Sequence, residues 1–189
     1  MLKIHVACGD VYLKDYINID IQGFVRQENA WKDPNETTFD NYYTKPLDFT
    51  PKDTRANFVI DERVNILLPW KWKDNTVDEV VMIQAMEHFT YFDGCYIVKE
   101  IHRVLKPGGK FVFDFPDVIE TFNQYASDFD KLIRLLYCNY KDQYAEHKIG
   151  YNEETFTKLL ELENRRWTSI EFKEVIEHAY PVIGGIATK

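Results

Sequence analysis

Apolar and polar positions along the chain switch between two periods. The runs 3–7 (Lys-Ile-His-Val-Ala), 16–20 (Tyr-Ile-Asn-Ile-Asp), 79–83 and 110–115 are short and rich in β-branched or aromatic residues, which predicts strands. The first, 3–7, is apolar enough to be a central strand buried on both faces of a sheet, and 79–83 reads as a buried strand. Residues 56–60 and 63–67 predict a third strand and its exit. Between 91 and 105 the period lengthens: Ile97, Ile101, Val104 and Leu105 fall at i, i+4, i+7 and i+8, one face of a helix, and Pro107-Gly108-Gly109 stops it. Two further helical stretches are predicted at 118–127 and 129–139, the second with Leu132, Leu135 and Leu136 on one side. Asn152 is the expected N-cap of a helix carrying Phe156, Leu159 and Leu160. Finally, 167–177 and 182–187, joined around Tyr180-Pro181, read as an antiparallel hairpin closing one sheet edge. Strands alternating with helices call for an α/β fold with a mainly parallel sheet covered on both sides.

Residues 22–55 break this alternation. They are polar, dotted with aromatics, carry Pro34, Pro46 and Pro51, and hold no sustained period. The stretch is too long for a plain connection in a compact domain, so it reads as an insertion or lid. Trp31, Phe39, Tyr42 and Tyr43 either cover a ligand or pack the insertion onto the body. The chain as a whole, 1–189, reads as one domain without internal repeats or low-complexity tracts.

Composition narrows the classes. With 45% hydrophobic and 29% charged residues over 189 positions, the chain supports a full core without metal or disulfide staples. A net charge of −8 argues against tight non-specific nucleic-acid binding, which needs clustered Lys and Arg. Cys8, Cys95 and Cys138 are odd in number, far apart and in no metal-ligand spacing, as expected of reduced thiols in a cytoplasmic protein. No run approaches membrane-spanning length, and the N-terminal apolar run is too short for a signal-peptide core.

The candidate chemistry begins at the first strand, which stops at Gly9, where the backbone can turn tightly and approach a ligand. Eleven residues later Asp20 ends the second strand, at the edge where open parallel sheets bind ligands, and its carboxylate suits a ribose diol. A nicotinamide-dinucleotide fingerprint would need three glycines and an acidic residue about 20 positions on, which disfavours a nucleotide-dependent oxidoreductase. By itself, strand-glycine-strand-aspartate describes many α/β units.

Four segments in order resemble the class I S-adenosylmethionine-dependent methyltransferases, in particular small type-11-like members. They are Val6-Ala-Cys-Gly9 with Asn18-Ile-Asp20, then Leu68-Pro-Trp-Lys-Trp-Lys-Asp-Asn-Thr-Val-Asp78, then Met86-Glu-His88, and Arg103-Val-Leu-Lys-Pro-Gly-Gly109, the most specific of the four. The resemblance implies a Rossmann-like, doubly wound, mainly parallel seven-stranded sheet with an antiparallel C-terminal hairpin, with 118–165 a helical region on the substrate side. It implies S-adenosyl-L-methionine as cofactor, held at Ala7, Cys8 and Gly9 in the first turn, at Asp20 through the ribose, at Asn65 facing the adenine, and at Gln84.

Three departures accompany it. Ala7 stands where a first glycine is common. The short span from Gly9 to Asn18 leaves the usual first helix missing or very short. Gln84 stands where metal-dependent relatives carry the first Glu of Glu-x-x-Glu-His, so the set of hard oxygen donors is incomplete and no metal is expected. Cys8 reads as a small buried turn residue, since no neighbour supplies an activating base. For a hydroxyl or amine acceptor His88 is the first candidate base, with a backbone-bonding role as the alternative, and His147 is the second. Glu87 is expected to pack or to hydrogen-bond on the cofactor side. The absence of an Asn-Pro-Pro-Tyr or Asp-Pro-Pro-Tyr motif and the acidic charge favour a small-molecule acceptor, a sugar or other metabolite, over nucleic acid. A non-catalytic domain of the same fold, serving as a cofactor-binding or assembly subunit, is the competing reading.

Overall fold

The computed structural model describes residues 1–26, 36–42, 59–138 and 144–189. One sheet is built from β1 (Lys3–Val6), β2 (Ile17–Asp20), β3 (Glu62–Arg63), β4 (Val77–Ile83), β5 (Leu105–Pro116), β6 (Ser169–Phe172) and β7 (Val182–Thr188), in the order β6-β7-β5-β4-β1-β2-β3. From β3 to β5 all neighbours are parallel, while β7 runs antiparallel to both β5 and β6. This is the doubly wound, Rossmann-like α/β sheet with a C-terminal hairpin that the patterning and the resemblance call for. The carboxyl ends of β1, β2, β3 and β4 lie along one edge, so the turns that follow them share it.

The third strand differs from its expected place. Val59–Ile60 pairs with Phe24–Val25 in a separate two-stranded ladder, and Glu62–Arg63 joins the main sheet. Asp61 is the pivot: its N–H donates to the Asn18 carbonyl (2.8 Å) and its carboxylate accepts from the Asn18 N–H (2.8 Å). Residues 56–58 lie outside the described set.

Helix α1 (Tyr91–Val104) starts in a reciprocal capping box between Thr90 and Asp93. The following strand begins at Leu105, earlier than expected, because residues 106–109 bulge out of the β4–β5 register between Leu105 and Lys110. Gly108 takes φ +79° there, and Lys189 Nζ donates to the carbonyls of His102 (2.6 Å) and Leu105 (2.8 Å), placing a cation at the end of α1. Helices α2 (Val118–Tyr125), α3 (Phe129–Tyr137) and α4 (Glu153–Leu160) occupy the 118–165 region, and Asn152 caps α4 as expected.

Strand alternation divides the core. On one face Val80 and Met82 of β4 and Phe111, Phe113 and Phe115 of β5 pack with Ile97, Ile101 and Val104 of α1 and Phe156 and Leu159 of α4. On the other face Val81, Ile83 and Val112 are covered by Val11, Leu13, Tyr42 and Ile176. The usual first helix is absent: after Gly9 the chain makes a short strand, Tyr12–Leu13, which pairs with Glu36–Thr37. Tyr42 then reaches the sheet, where its hydroxyl donates to Nε2 of the buried His5 (2.6 Å). The His5 tautomer follows from its partners. Asn18 Oδ1 accepts from the Leu13 N–H (2.8 Å), so His5 Nδ1 is the donor to that oxygen (3.0 Å) and Nε2 accepts. Burial outweighs the Asn18 bond and pulls the His5 pKa down to about 4. Phe39 and Tyr42 therefore pack the insertion onto the body, and Trp31 and Tyr43 lie outside the described residues.

Candidate active site

The turn after β1 is built for close approach. Ala7 (φ +50°) and Gly9 (φ +57°) both adopt left-handed backbone, which costs a residue with a Cβ about 1–2 kcal/mol. At Gly9 a Cβ would meet no atom within 4 Å, so this side of the turn is open space. Asp20 closes the turn: one carboxylate oxygen accepts from the Gly9 N–H (3.0 Å) and the other from the Gln22 N–H (3.0 Å). Each oxygen keeps a lone pair in a fixed direction, which matches the demand of a ribose diol for two acceptors. A rigid carboxylate beside a turn that is open at Gly9 fits the nucleoside end of S-adenosylmethionine. The Cys8 side chain is buried against Ile60, and burial, followed by the Asp20 charge, pushes its thiol pKa well up, so Cys8 offers a ligand its backbone and not a thiolate.

The structure puts the other two expected cofactor residues at the same edge with different roles for their side chains. Asn65 follows Val64, whose N–H donates to the Asp20 carbonyl (2.8 Å), and its side chain is exposed and caps its own turn by accepting from the Leu67 N–H (3.0 Å). Gln84, at the tip of β4 with φ +49°, donates through its amide to Asp114 and accepts from the Tyr180 hydroxyl (2.8 Å). His178 Nε2 stands 3.1 Å from the same buried Asp114 carboxylate. This Gln84-Asp114-Tyr180-His178 network ties the β4 tip to the loop before β7, and nothing in the linear sequence marked it. A cleft of about 360 Å³ lined by Asp117, Glu153, Lys173 and Glu177 shares His178 and Tyr180 with the network and no residue with the Gly9 turn.

The two candidate bases come together. Met86–His88 forms a single 3-10 turn after β4, and the chain returns at 146–149 to lie against it. The Glu87 carbonyl accepts from the N–H groups of Lys148 (2.8 Å) and Ile149 (3.3 Å), and the His147 N–H donates to the Tyr137 carbonyl at the end of α3 (2.9 Å). Nε2 of His88 and Nε2 of His147 each stand 3.8 Å from Oε1 of the buried Glu87, with the two rings edge to face at 4.9 Å. His88 Nδ1 faces the Glu146 carbonyl at 3.2 Å; a carbonyl only accepts, so Nδ1 carries a proton and Nε2 is the ring nitrogen turned toward the cluster. Both imidazoles are nearly buried. Such a pair can accept a proton in a site largely closed to water. Glu87, expected to pack or to face the cofactor, is instead its centre.

Residues 47–113 match the family model described as a methyltransferase domain. No curated protein matches the chain significantly. Among solved structures, an S-adenosylmethionine-dependent methyltransferase from Methanosarcina mazei is 16% identical, with 98% of this chain and 89% of that one covered at a TM-score of 0.50. A Thermotoga maritima S-adenosylmethionine-dependent methyltransferase, described as a possible histamine N-methyltransferase, is 13% identical over 99% of this chain and 81% of its own, with a TM-score of 0.51. The CurJ carbon methyltransferase is 11% identical and superposes at a TM-score of 0.54 over all of this chain and 48% of its own length. At these identities the likeness is one of fold.

Proposed function

We propose that this chain, a class I, type-11-like member of the S-adenosylmethionine-dependent methyltransferases, transfers the methyl group of S-adenosyl-L-methionine to a small-molecule acceptor. The observation that carries the reading is the Gly9 turn, open where a Cβ would sit and closed from behind by Asp20. When bound, the cofactor supplies an electrophilic methyl on sulfur. Asp20 accepts from the ribose hydroxyls, the Ala7-Cys8-Gly9 backbone borders the methionine part, and Asn65 and Gln84 flank the same edge. His88, with His147 beside it, takes the proton of a hydroxyl or amine acceptor at Nε2, and Glu87 steadies the imidazolium that forms. The proton acceptor and the cofactor turn share the carboxyl edge of the sheet, the arrangement that in-line transfer needs.

The acceptor class rests on the net charge of −8 and on Gln84-Ala-Met-Glu87 standing where nucleic-acid-methylating enzymes carry a Pro-Pro-Tyr motif. Cys8 and Cys95 are free thiols, which supports a cytoplasmic setting. No described helix is long and apolar enough to cross a membrane. The strained Ala7 and the missing first helix favour a second reading, a non-catalytic cofactor-binding or assembly subunit. Release of S-adenosylhomocysteine across a metabolite array separates the two. For the cofactor itself, Asp20→Ala should weaken S-adenosylmethionine binding in calorimetry by about 1.5–3 kcal/mol, the scale of a hydrogen bond to a charged group. Unchanged affinity in a folded variant would remove the ribose assignment.

A further inference from the structure

We propose that Glu87, His88 and His147 bind a divalent transition-metal ion, zinc by the chemistry of the donors. Its place on the acceptor side rests on the function proposed above; the ion site itself does not. One ligand atom from each residue lies within 4.8 Å of the other two. The two imidazole-carboxylate separations of 3.8 Å are too long for direct hydrogen bonds and leave a gap between the polar atoms. An ion about 2.1 Å from both atoms of such a pair subtends about 130°, and a shift of roughly 0.4 Å brings the pair to tetrahedral spacing.

Three further observations support an ion. The His88 Nδ1 contact to the Glu146 carbonyl is the outer contact that orients a ligating imidazole and leaves Nε2 for the metal. The backbone bonds of Glu87 to Lys148 and Ile149 hold the two ligand-bearing segments against each other, so the donors converge before any ion arrives. The Glu87 carboxylate is buried, and a dication at the centre offsets the cost of holding its charge there.

Two imidazole nitrogens and one carboxylate oxygen are borderline donors that suit zinc, whereas magnesium and calcium demand shells of oxygen. The expectation of no metal considered oxygen donors alone, with Gln84 as the missing one; the fold replaces that donor with a nitrogen from residue 147. Three protein ligands leave one coordination position open. With the ion in place, an acceptor hydroxyl bound there would give up its proton to solvent more readily than when free; in the metal-free chain His88 keeps the base role proposed above.

The test uses the whole chain, stripped with a chelator, dialysed against Zn²⁺ and then against metal-free buffer, with metal per chain read by plasma mass spectrometry. Co²⁺ in place of zinc reports nitrogen coordination by its visible spectrum. One equivalent should bind to the wild-type chain and to His102→Asn, whose imidazole faces the Arg166 carbonyl. In His88→Asn and in His147→Asn the affinity should fall by at least the roughly 10- to 100-fold that even an outer-contact loss costs. A wild-type chain that takes up no zinc, or zinc retained by both variants, overturns the site. The wild-type Co²⁺ spectrum needs no substitution, so a spectrum without nitrogen coordination overturns the site even where a variant misfolds. Calorimetry of S-adenosylmethionine on the same zinc-loaded chain keeps the two proposals apart: failure of cofactor binding with zinc bound counts against the proposed function and not against the metal.

Discussion

The two faces of the sheet are covered by different means. Behind β4 and β5 on one side lies α1, started by a capping box, sealed at its end by Lys189 and packed through Ile97, Ile101 and Val104. On the other side no helix lies beside β1 among the described residues, and the described cover includes a two-residue ladder, a single helical turn at Phe39–Asn41, Tyr42 and Ile176. The helical face is held by apolar area. The other is held by apolar contacts around a buried polar chain: Tyr42 to His5, His5 to Asn18, Asn18 to Asp61. Buried hydrogen bonds add little net stability while satisfied and cost much when one partner is lost, so the two faces should respond to different perturbations.

The largest effect should come from the helical face. Phe113 is buried with its ring near those of Phe111, Phe115, Phe156 and Phe172, so Phe113→Ala should cost about 3–5 kcal/mol in urea unfolding, independent of pH. A loss under about 1 kcal/mol would mean that this core is not the main support. The loop-covered face should instead show itself in pH. His5 has a folded pKa of about 4 against 6.5 when unfolded, so below pH 6.5 the unfolded chain binds a proton that the native chain refuses. Stability should be level in this respect above pH 6.5 and fall as pH drops toward 4, by roughly 3 kcal/mol in all. The carboxylates titrate over part of this window, so the measurement is the difference between wild type and His5→Gln; parallel pH profiles would rule out a buried neutral His5. Smallest should be Tyr42→Phe, which leaves His5 Nε2 without its donor at a cost of about 1–3 kcal/mol. Hydrogen exchange on that variant should show lost protection at Leu13 and residues 36–42, with α1 unchanged. Loss at α1 as well would mean that the two faces unfold as one unit.

Much of the helical face was legible in the chain. The i, i+4, i+7, i+8 spacing in α1, the short apolar runs of β4 and β5, and Asn152 ahead of α4 are local patterns, each recording how one element buries its own surface. Of the candidate site, the Gly9 turn and Asp20 could be read because a backbone turn and a strand end are local features too. The loop-covered face was not legible: Tyr12, Leu13 and Tyr42 stand in segments without a sustained period, and their burial depends on which strand they meet. The third strand moved from 56–60 to Glu62–Arg63 because Asp61 pairs with Asn18, a contact that leaves no mark on either neighbourhood.

By itself the sequence determined the order and type of most of the main elements, the mainly parallel sheet and its C-terminal hairpin, the acidic charge, and the position of the Gly9 turn. The tertiary structure alone decided that His88 and His147 meet around Glu87, that Gln84 is tied to Asp114 and Tyr180, and that Tyr42 stands in for part of a missing helix. The physical reason is one of range. Propensity, capping and amphipathic period act over a few residues and are written along the chain, whereas the approach of 147 to 87 depends on the whole path between them and on backbone bonds that any residue with an N–H could make.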